Sequence, residues 1–115
     1  IQEKAHSMGV ETDFFQSNHE GAMIDRIHAS VGIYDGIVLN AGAYTHYSYA
    51  IRDALASIVV PKIEIHISDI TKREEFRKVS VTSPVCDKQI YGQGLKGYLL
   101  AIDNAIEIAK SRKCQ

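Results

Sequence analysis

The stretch Ile63-Glu64-Ile65-His66-Ile67-Ser68 decides the fold of this chain. Successive side chains of a β-strand point to opposite faces, so the three isoleucines line one face and the three polar residues line the other. Helical segments flank the stretch at residues 54–60 and 69–77. Strands that alternate with helices form parallel sheets covered on both faces. Polar groups buried there are costly unless they pair with one another or with a ligand, so the pattern predicts a functional site.

Length and composition predict a single domain over residues 1–115. The chain is 45% hydrophobic and 23% charged, which is typical of a globular protein. The net charge of −1 gives no reason to expect nucleic acid or a membrane as a partner. No apolar run approaches the roughly 20 residues that a membrane span needs. Cys86 and Cys114 lie far apart in the sequence, and we expect free thiols in a reducing cytoplasm rather than a disulfide.

Apolar spacing predicts strands that alternate with helices along the whole chain. A first helix ends at Gly9. The predicted strands cover 10–16, 33–40, the stretch from Pro61 through His66, and 88–92. The capping box Ser17-Asn18-His19-Glu20 predicts the start of the second helix. The inward stripes of the predicted helices are Ile24, Ile27 and Val31; Ile51, Ala54, Leu55 and Ile58; and Leu95, Leu99, Ile102 and Ile106.

This order of elements predicts an α/β fold of the flavodoxin-like kind. Such a fold is a three-layer α/β/α sandwich around a parallel five-stranded sheet with strand order 2-1-3-4-5. The sequence begins inside a predicted helix, and the first strand of that order is missing from it. We therefore expect a strand and a loop to precede Ile1.

Polar residues collect where two neighbouring predicted strands end, and open α/β sheets bind ligands at that edge. Asn40 offers a donor and an acceptor, and His46 offers one or the other at each ring nitrogen. Gly42 lets the backbone approach a ligand closely or adopt a positive φ. These three residues are candidate binding residues.

The second strand end carries signals for an anion. His66, Ile67 and Ser68 lie beside a predicted helix N-terminus, whose backbone N–H groups favour a carboxylate. Arg73 and Arg77 follow at i, i+4 spacing, which predicts that they share one face of a short helix and add positive charge. The residues alone thus predict a small, hydroxylated, anionic ligand.

Several motifs in the same order resemble type II 3-dehydroquinate dehydratase, and together they cover nearly the whole chain. They are Phe15-Gln-Ser-Asn-His-Glu-Gly21, Asn40-Ala-Gly-Ala-Tyr-Thr-His46, Arg52-Asp-Ala-Leu55, Glu64-Ile-His-Ile-Ser68, Lys72-Arg-Glu-Glu-Phe-Arg77, Gly92-Gln-Gly94 and Gly97-Tyr98. The resemblance implies a flavodoxin-like fold and conversion of 3-dehydroquinate to 3-dehydroshikimate by loss of water, in the shikimate or quinate pathway. It also implies trimers that build a dodecamer, no metal and no organic cofactor.

The resemblance assigns roles to matching positions. His66 matches the general acid that protonates the departing C1 hydroxyl, and Glu64 would hold its ring. Asp53 matches an aspartate that reaches the site from a neighbouring subunit. The substrate-binding matches are Asn40 and His46 for ring hydroxyls, Ile67 and Ser68 for the carboxylate, and Arg77 with Arg73 beside it.

The family's catalytic base is a tyrosine activated by an arginine on a mobile loop after the first strand. Both would precede Ile1, and none of the six tyrosines of this sequence falls at that position. The sequence as it stands therefore carries the binding residues and the acid without the base.

Three other interpretations stay open at this point. One is a flavodoxin-like module that binds a flavin or another small molecule. A second is a metal hydrolase that uses His46, His66 and Asp53, although no compact metal-binding spacing is present. A third is an assembly subunit or an inactive relative. Lys62 stands at the entry end of its strand, so we do not expect it to act as an imine-forming nucleophile.

Overall fold

Strands and helices alternate through residues 6–113, which are the residues described by a computed structural model of the chain. The strands are β1 (Ile37–Leu39), β2 (Lys62–Ile65) and β3 (Lys88–Ile90). The α-helices are α1 (Glu20–Ala29), α2 (Tyr49–Ala56), α3 (Glu75–Lys78) and α4 (Lys96–Lys113). Short 3-10 helices cover Gly42–His46, Ile70–Lys72 and Ser83–Val85.

The three strands form a parallel sheet in the order β1-β2-β3, with β2 in the centre. Glu64 pairs with Leu39 on one side and with Gln89 on the other. Residues paired across parallel strands point to the same face, so these three side chains share one face of the sheet. This adjacency places a donor, Gln89, beside the central carboxylate.

Helices cover both faces of the sheet, as expected for a parallel sheet. Helices α1 and α2 pack on one face through a buried cluster that consists of Ile27, Ile51, Ala54, Leu55 and Ile58. Helix α4 packs on the other face, where Ala101 meets Ile63 and Ile90. The predicted three-layer α/β/α arrangement is therefore confirmed for the described residues.

Helix α2 follows its prediction closely. Its inward residues Ile51, Ala54 and Leu55 are buried, and so is Ile58, which lies just beyond the end of the helix. Ser48 caps the helix, because its Oγ accepts a hydrogen bond from the backbone N–H of Ile51 at 3.0 Å. The same hydroxyl donates to Glu20 at 2.6 Å, which ties the start of α2 to the first turn of α1.

Lys62 is buried at the entry end of β2, away from the strand end that carries His66. Its Nζ donates to the backbone carbonyls of Leu55 at 3.0 Å and Ile58 at 2.7 Å. The ammonium thus satisfies carbonyls at the end of α2, where a helix favours positive charge. This structural role agrees with the prediction that Lys62 is not a nucleophile.

Several predicted element boundaries were wrong. Residues 10–16 form no strand, and no described strand lies beside them to supply hydrogen bonds. The sheet in the described part of the chain therefore comprises three strands. The predicted capping box is absent as well, because Ser17 Oγ accepts from His19 N at 3.0 Å and His19 caps α1 without a side-chain bond.

Strand β2 ends at Ile65, earlier than predicted, and this changes the surroundings of two residues. Ile67 lies beyond the paired region and is 44% exposed, so it does not continue the apolar face of Ile63 and Ile65. Leu95 precedes α4 and is also exposed, whereas Ile102 within the helix is buried. None of the helices in the described part of the chain is long and apolar enough to cross a membrane.

Candidate active site

A cleft of about 350 Å³ opens at the carboxyl ends of β1 and β2. Its lining comprises Asn40, Gly42, Ala43, His46, His66, Ile67, Ser68, Ile70, Arg73 and Arg77. All the predicted substrate-binding residues except Asp53 belong to this lining. The edge of the sheet that sequence reasoning selected is therefore where the structure forms a cleft.

His66 and Glu64 form a buried pair at this cleft. His66 Nε2 lies 2.9 Å from Glu64 Oε2, and the two residues are 5% and 1% exposed. The backbone N–H of His66 donates to the carbonyl of Ile90 at 2.8 Å, so the residue is anchored directly after β2. The two-residue alternation of the strand brings both side chains to the same face, as predicted.

Three further donors surround the Glu64 carboxylate. Ser80 Oγ lies 2.9 Å from each oxygen, Thr82 donates to Oε1, and Gln89 Nε2 donates to Oε2 at 2.7 Å. Burial alone would raise the pKa of Glu64, but the hydrogen bonds from His66, Thr82, Gln89 and Ser80 outweigh it and lower that pKa. Glu64 is therefore an ionised acceptor.

An ionised carboxylate can only accept hydrogen bonds, so Nε2 of His66 must carry a proton. The other ring nitrogen, Nδ1, makes no hydrogen bond to any residue that the structure describes. When His66 is protonated at both nitrogens, Nδ1 is the position from which it can give a proton to a ligand in the cleft. This arrangement suits a general acid near neutral pH.

His46 faces His66 across the cleft. Their rings lie 6.3 Å apart between centroids and are inclined by only 20°. His46 Nδ1 is 2.7 Å from the carbonyl of Val79, which can only accept, so Nδ1 is the donor. In the neutral ring, Nε2 is then an acceptor for a ligand hydroxyl.

The amide of Asn40 is held at both of its polar atoms. Its Oδ1 accepts from the backbone N–H of Gly42 at 3.1 Å, and its Nδ2 donates to the hydroxyl of Tyr98 at 3.1 Å. Gly42 has a φ of 60°, a conformation that favours glycine and confirms the predicted positive φ. The oxygen and nitrogen of Asn40 are thus assigned by their partners.

Two arginines give the cleft its positive charge. Arg73 donates to Ser68 Oγ at 3.3 Å, and Arg77 Nε lies 2.9 Å from Glu74 Oε2. The prediction that both arginines lie on one helix was wrong, because Arg73 follows a 3-10 helix and Arg77 belongs to α3. Both nevertheless line the cleft, where they concentrate positive charge.

A glycine turn after β3 supports the backbone of Ile67 and Ser68. Gly94 N donates to the carbonyl of Ile67 at 3.0 Å, and Gly92 N donates to that of Ser68 at 3.1 Å. Both glycines have positive φ, 59° and 75°. The two glycines therefore shape a turn that holds the carbonyls of Ile67 and Ser68.

Asp53 lies on the exposed side of α2 and does not line the cleft of its own chain. The metal hydrolase that the sequence left open would need Asp53 beside His46 and His66. In the described part of the chain no group of three acidic, histidine or cysteine side chains is placed to hold a metal ion. The structure therefore does not assemble the ligand set of that alternative.

Sequence reasoning did not identify Ser80, Thr82, Gln89 or the contact between Tyr98 and Asn40 as parts of this site. Ser80 and Thr82 lie in an irregular segment between α3 and β3, where the sequence carries no pattern that points to Glu64. Gln89 could have been found from the register of β2 with β3, had that register been predictable. None of these missed residues lines the cleft. Each contacts a residue that the sequence did predict, either Glu64 or Asn40.

Comparison with known proteins identifies the family. The family described as Dehydroquinase class II matches residues 1–106. The chain belongs to the class II dehydroquinases. It is 56% identical over 114 residues to the 3-dehydroquinate dehydratase of Lachnospira eligens, with 97% of this chain and 78% of that protein covered. It is 62% identical over 102 residues to the 3-dehydroquinate dehydratase of Bacillus cereus strain AH187, with 89% and 70% covered.

Solved structures of class II dehydroquinases have the same fold. The type II dehydroquinase from Butyrivibrio crossotus is 60% identical, and its crystal structure superposes with a TM-score of 0.87 over 90% of this chain and 72% of that one. The resemblance and the α/β fold class predicted from sequence motifs are thereby confirmed. The flavodoxin-like arrangement of the described elements is that of the family.

Proposed function

We propose that this chain is a 3-dehydroquinate dehydratase that removes water from 3-dehydroquinate to give 3-dehydroshikimate. The single observation that carries the proposal is the buried pair of Glu64 and His66 at a cleft lined by two arginines. The pair supplies a proton donor, and the arginines attract a small carboxylate. The names of the relatives identify the reaction in which this proton donor and this carboxylate-binding site are used together.

The reaction needs a base, an enolate and an acid. A base first removes the proton α to the ketone, and the electron pair of that C–H bond forms the enolate. Collapse of the enolate breaks the bond from C1 to its hydroxyl, and His66 gives that oxygen a proton so that it leaves as water. Glu64 stabilises the imidazolium form of His66 before this step. The resemblance assigns the base to a tyrosine at a position that none of the six tyrosines of this sequence matches.

The same proposal assigns the binding contacts. The substrate carboxylate lies between Arg77 and the backbone N–H groups of Ile67 and Ser68, whose carbonyls are already bound by the glycine turn. Ring hydroxyls are bound by His46 through Nε2 and by the amide of Asn40, whose orientation is fixed by Gly42 and Tyr98. Arg73 adds charge beside Ser68.

We also propose that trimers assembling into a dodecamer complete the site, with Asp53 entering the cleft of a neighbouring subunit. The exposure of Asp53 outside its own cleft supports this placement. Intersubunit complementation tests it, because mixed oligomers of Asp53→Ala and His66→Ala subunits contain some clefts with both residues intact. Activity that stays as low in the mixture as in each variant alone contradicts the proposal.

A cytoplasmic location follows from the expectation of free thiols.

Turnover of 3-dehydroquinate is the decisive experiment, followed by the near-UV absorbance of the conjugated product with a chelator present. In a protein that carries the tyrosine base, we expect turnover, and we expect its loss in His66→Ala. The matched control is His28→Ala, because His28 is exposed near the end of α1 and lies outside the cleft. Turnover that His66→Ala retains contradicts the assignment of the acid. A protein without turnover that still binds a substrate analogue matches the alternative of an inactive relative.

A further inference from the structure

Two donors compete for one oxygen of the buried carboxylate. Glu64 Oε2 lies 2.9 Å from His66 Nε2 and 2.7 Å from Gln89 Nε2. The strand register enforces this competition, since Glu64 and Gln89 are direct partners across β2 and β3. Gln89 does not line the cleft, so it can affect a ligand only through Glu64 and His66.

The other oxygen of Glu64 is occupied too. Thr82 donates to Oε1, and Ser80 Oγ lies 2.9 Å from both Oε1 and Oε2. The carboxylate therefore cannot rotate to offer His66 a less occupied oxygen. The strength of the bond from His66 to Oε2 depends on how much of the negative charge the amide of Gln89 takes up.

We propose that Gln89 is a positioning residue that shares Oε2 of Glu64 with His66 and thereby limits how tightly His66 holds its proton. A carboxylate bound by fewer donors is a stronger acceptor and stabilises a neighbouring imidazolium more. Gln89 thus keeps His66 weak enough as a base to release its proton to the leaving hydroxyl. This inference rests on the proposed function, because it specifies what tunes the acid of that reaction.

The remaining ionisable groups around the pair are few. His46 faces His66 across the cleft, and Arg73 and Arg77 line the same cleft. The thiol of Cys86 is close enough for the charge of Glu64 to act on it, and burial raises the pKa of that thiol to about 12. Cys86 therefore stays neutral in the range where histidine ordinarily titrates, and the NMR signal of His46 must be distinguished from that of His66.

The test replaces Gln89 with methionine, which has a similar length and no donor. Histidine ring resonances are followed by NMR as a function of pH, with the His66 signal assigned by its absence in His66→Ala. We expect Gln89→Met to move the titration midpoint of His66 upward by about half a pH unit. The alkaline limb of the kcat profile should move upward with it, because activity requires the protonated ring.

Lys88→Met is the matched control, since Lys88 precedes Gln89 in β3, faces the opposite side of the sheet and binds Asn104 instead. It should leave the His66 midpoint unchanged. Thr82→Val, which removes a donor from Oε1, should move the midpoint in the same direction. An unmoved or lowered midpoint in a folded Gln89→Met protein overturns the inference.

The two proposals can fail separately. If the parent protein neither turns over 3-dehydroquinate nor binds a substrate analogue while Gln89→Met still raises the midpoint, the proposed reaction is wrong and the role of Gln89 stands. If turnover is confirmed and the midpoint does not move, Gln89 is a purely structural partner of Glu64.

Discussion

Replacing Gly97 by alanine would place a methyl group where the side chain of Ile65 already lies. A Cβ built on Gly97 falls 2.9 Å from Cδ1 and 3.4 Å from Cγ1 of Ile65. The shorter distance is well inside van der Waals contact. Cδ1 is the free end of a side chain, but Ile65 is completely buried, so any movement of the atom must displace neighbouring atoms of the close-packed core.

The expected cost follows from two opposing terms. Overpacking a buried site costs about 1–3 kcal/mol. Alanine in a helix is favoured over glycine by up to about 1 kcal/mol, which offsets part of that cost. We therefore expect Gly97→Ala to lower the free energy of unfolding by about 1–2 kcal/mol.

Gly21 provides the matched control. It is the second residue of α1, as Gly97 is the second residue of α4, and a Cβ on Gly21 meets nothing within 4 Å. Gly21→Ala should therefore raise the free energy of unfolding by up to about 1 kcal/mol. If Gly97→Ala lowers the free energy of unfolding and Gly21→Ala raises it, the contact with Ile65 decides the effect at Gly97, and helix propensity does not.

A double-mutant cycle measured by urea unfolding tests the contact directly. Ile65→Val removes Cδ1 and should cost about 0.5–1.5 kcal/mol alone. In the Gly97→Ala background it also relieves the overlap, so the double variant should be no less stable than Ile65→Val alone. Additive losses from the two substitutions would refute the reasoning, because the new methyl group would then not be in conflict with Cδ1.

The other predictions concern buried polar groups. Hydrogen bonds lower the pKa of Glu64 in the folded state, so the ionised carboxylate stabilises the fold above about pH 5, and this contribution is lost as the pH falls through the folded pKa. Glu64→Gln should therefore make the free energy of unfolding, measured with urea, depend less on pH on the acid side. Lys62→Met should lower the free energy of unfolding by about 1–3 kcal/mol, because the carbonyls of Leu55 and Ile58 lose their donor. Burial raises the pKa of Cys86 to about 12, so peptide mass spectrometry should find Cys86 unmodified after thiol alkylation of the native protein and modified in urea.

The sequence predicted the central pair of the site because a strand has a rigid period. Two-residue alternation leaves one choice of face for Glu64 and His66 once residues 62–66 are extended, and the structure confirms that choice. The inward face of α2 was predictable for a similar reason, since Ile51 and Leu55 follow helical spacing. The spacing of inward side chains is a property of a single segment. It can therefore be recognised in the sequence without knowing which other segments lie beside it in the fold.

Features that depend on two segments were not predictable. The pairing of Glu64 with Gln89 follows from the register of β2 with β3, and no local pattern encodes that register. The prediction of a strand over residues 10–16 was wrong for a related reason. An extended segment becomes a strand only when it pairs with another strand, and its own sequence does not show whether that partner is present. Arg73 and Arg77 have helical spacing but are separated by a helix boundary, which the spacing does not reveal.

The proposed acid, His66, and the two arginines of the cleft are held by different kinds of local structure. His66 follows the central strand, is 5% exposed and donates its backbone N–H to Ile90. Arg73 directly follows a 3-10 helix of three residues, and Arg77 belongs to a helix of four residues and is paired with Glu74. Proton transfer requires a donor already in position, because a small misplacement of the acid slows the step. Capture of a carboxylate tolerates adjustment, since a guanidinium can exchange Glu74 for the incoming anion. The alternation that buries Ile63 and Ile65 in the core therefore also holds the proposed proton donor in place, while the arginines remain free to adjust to the proposed substrate.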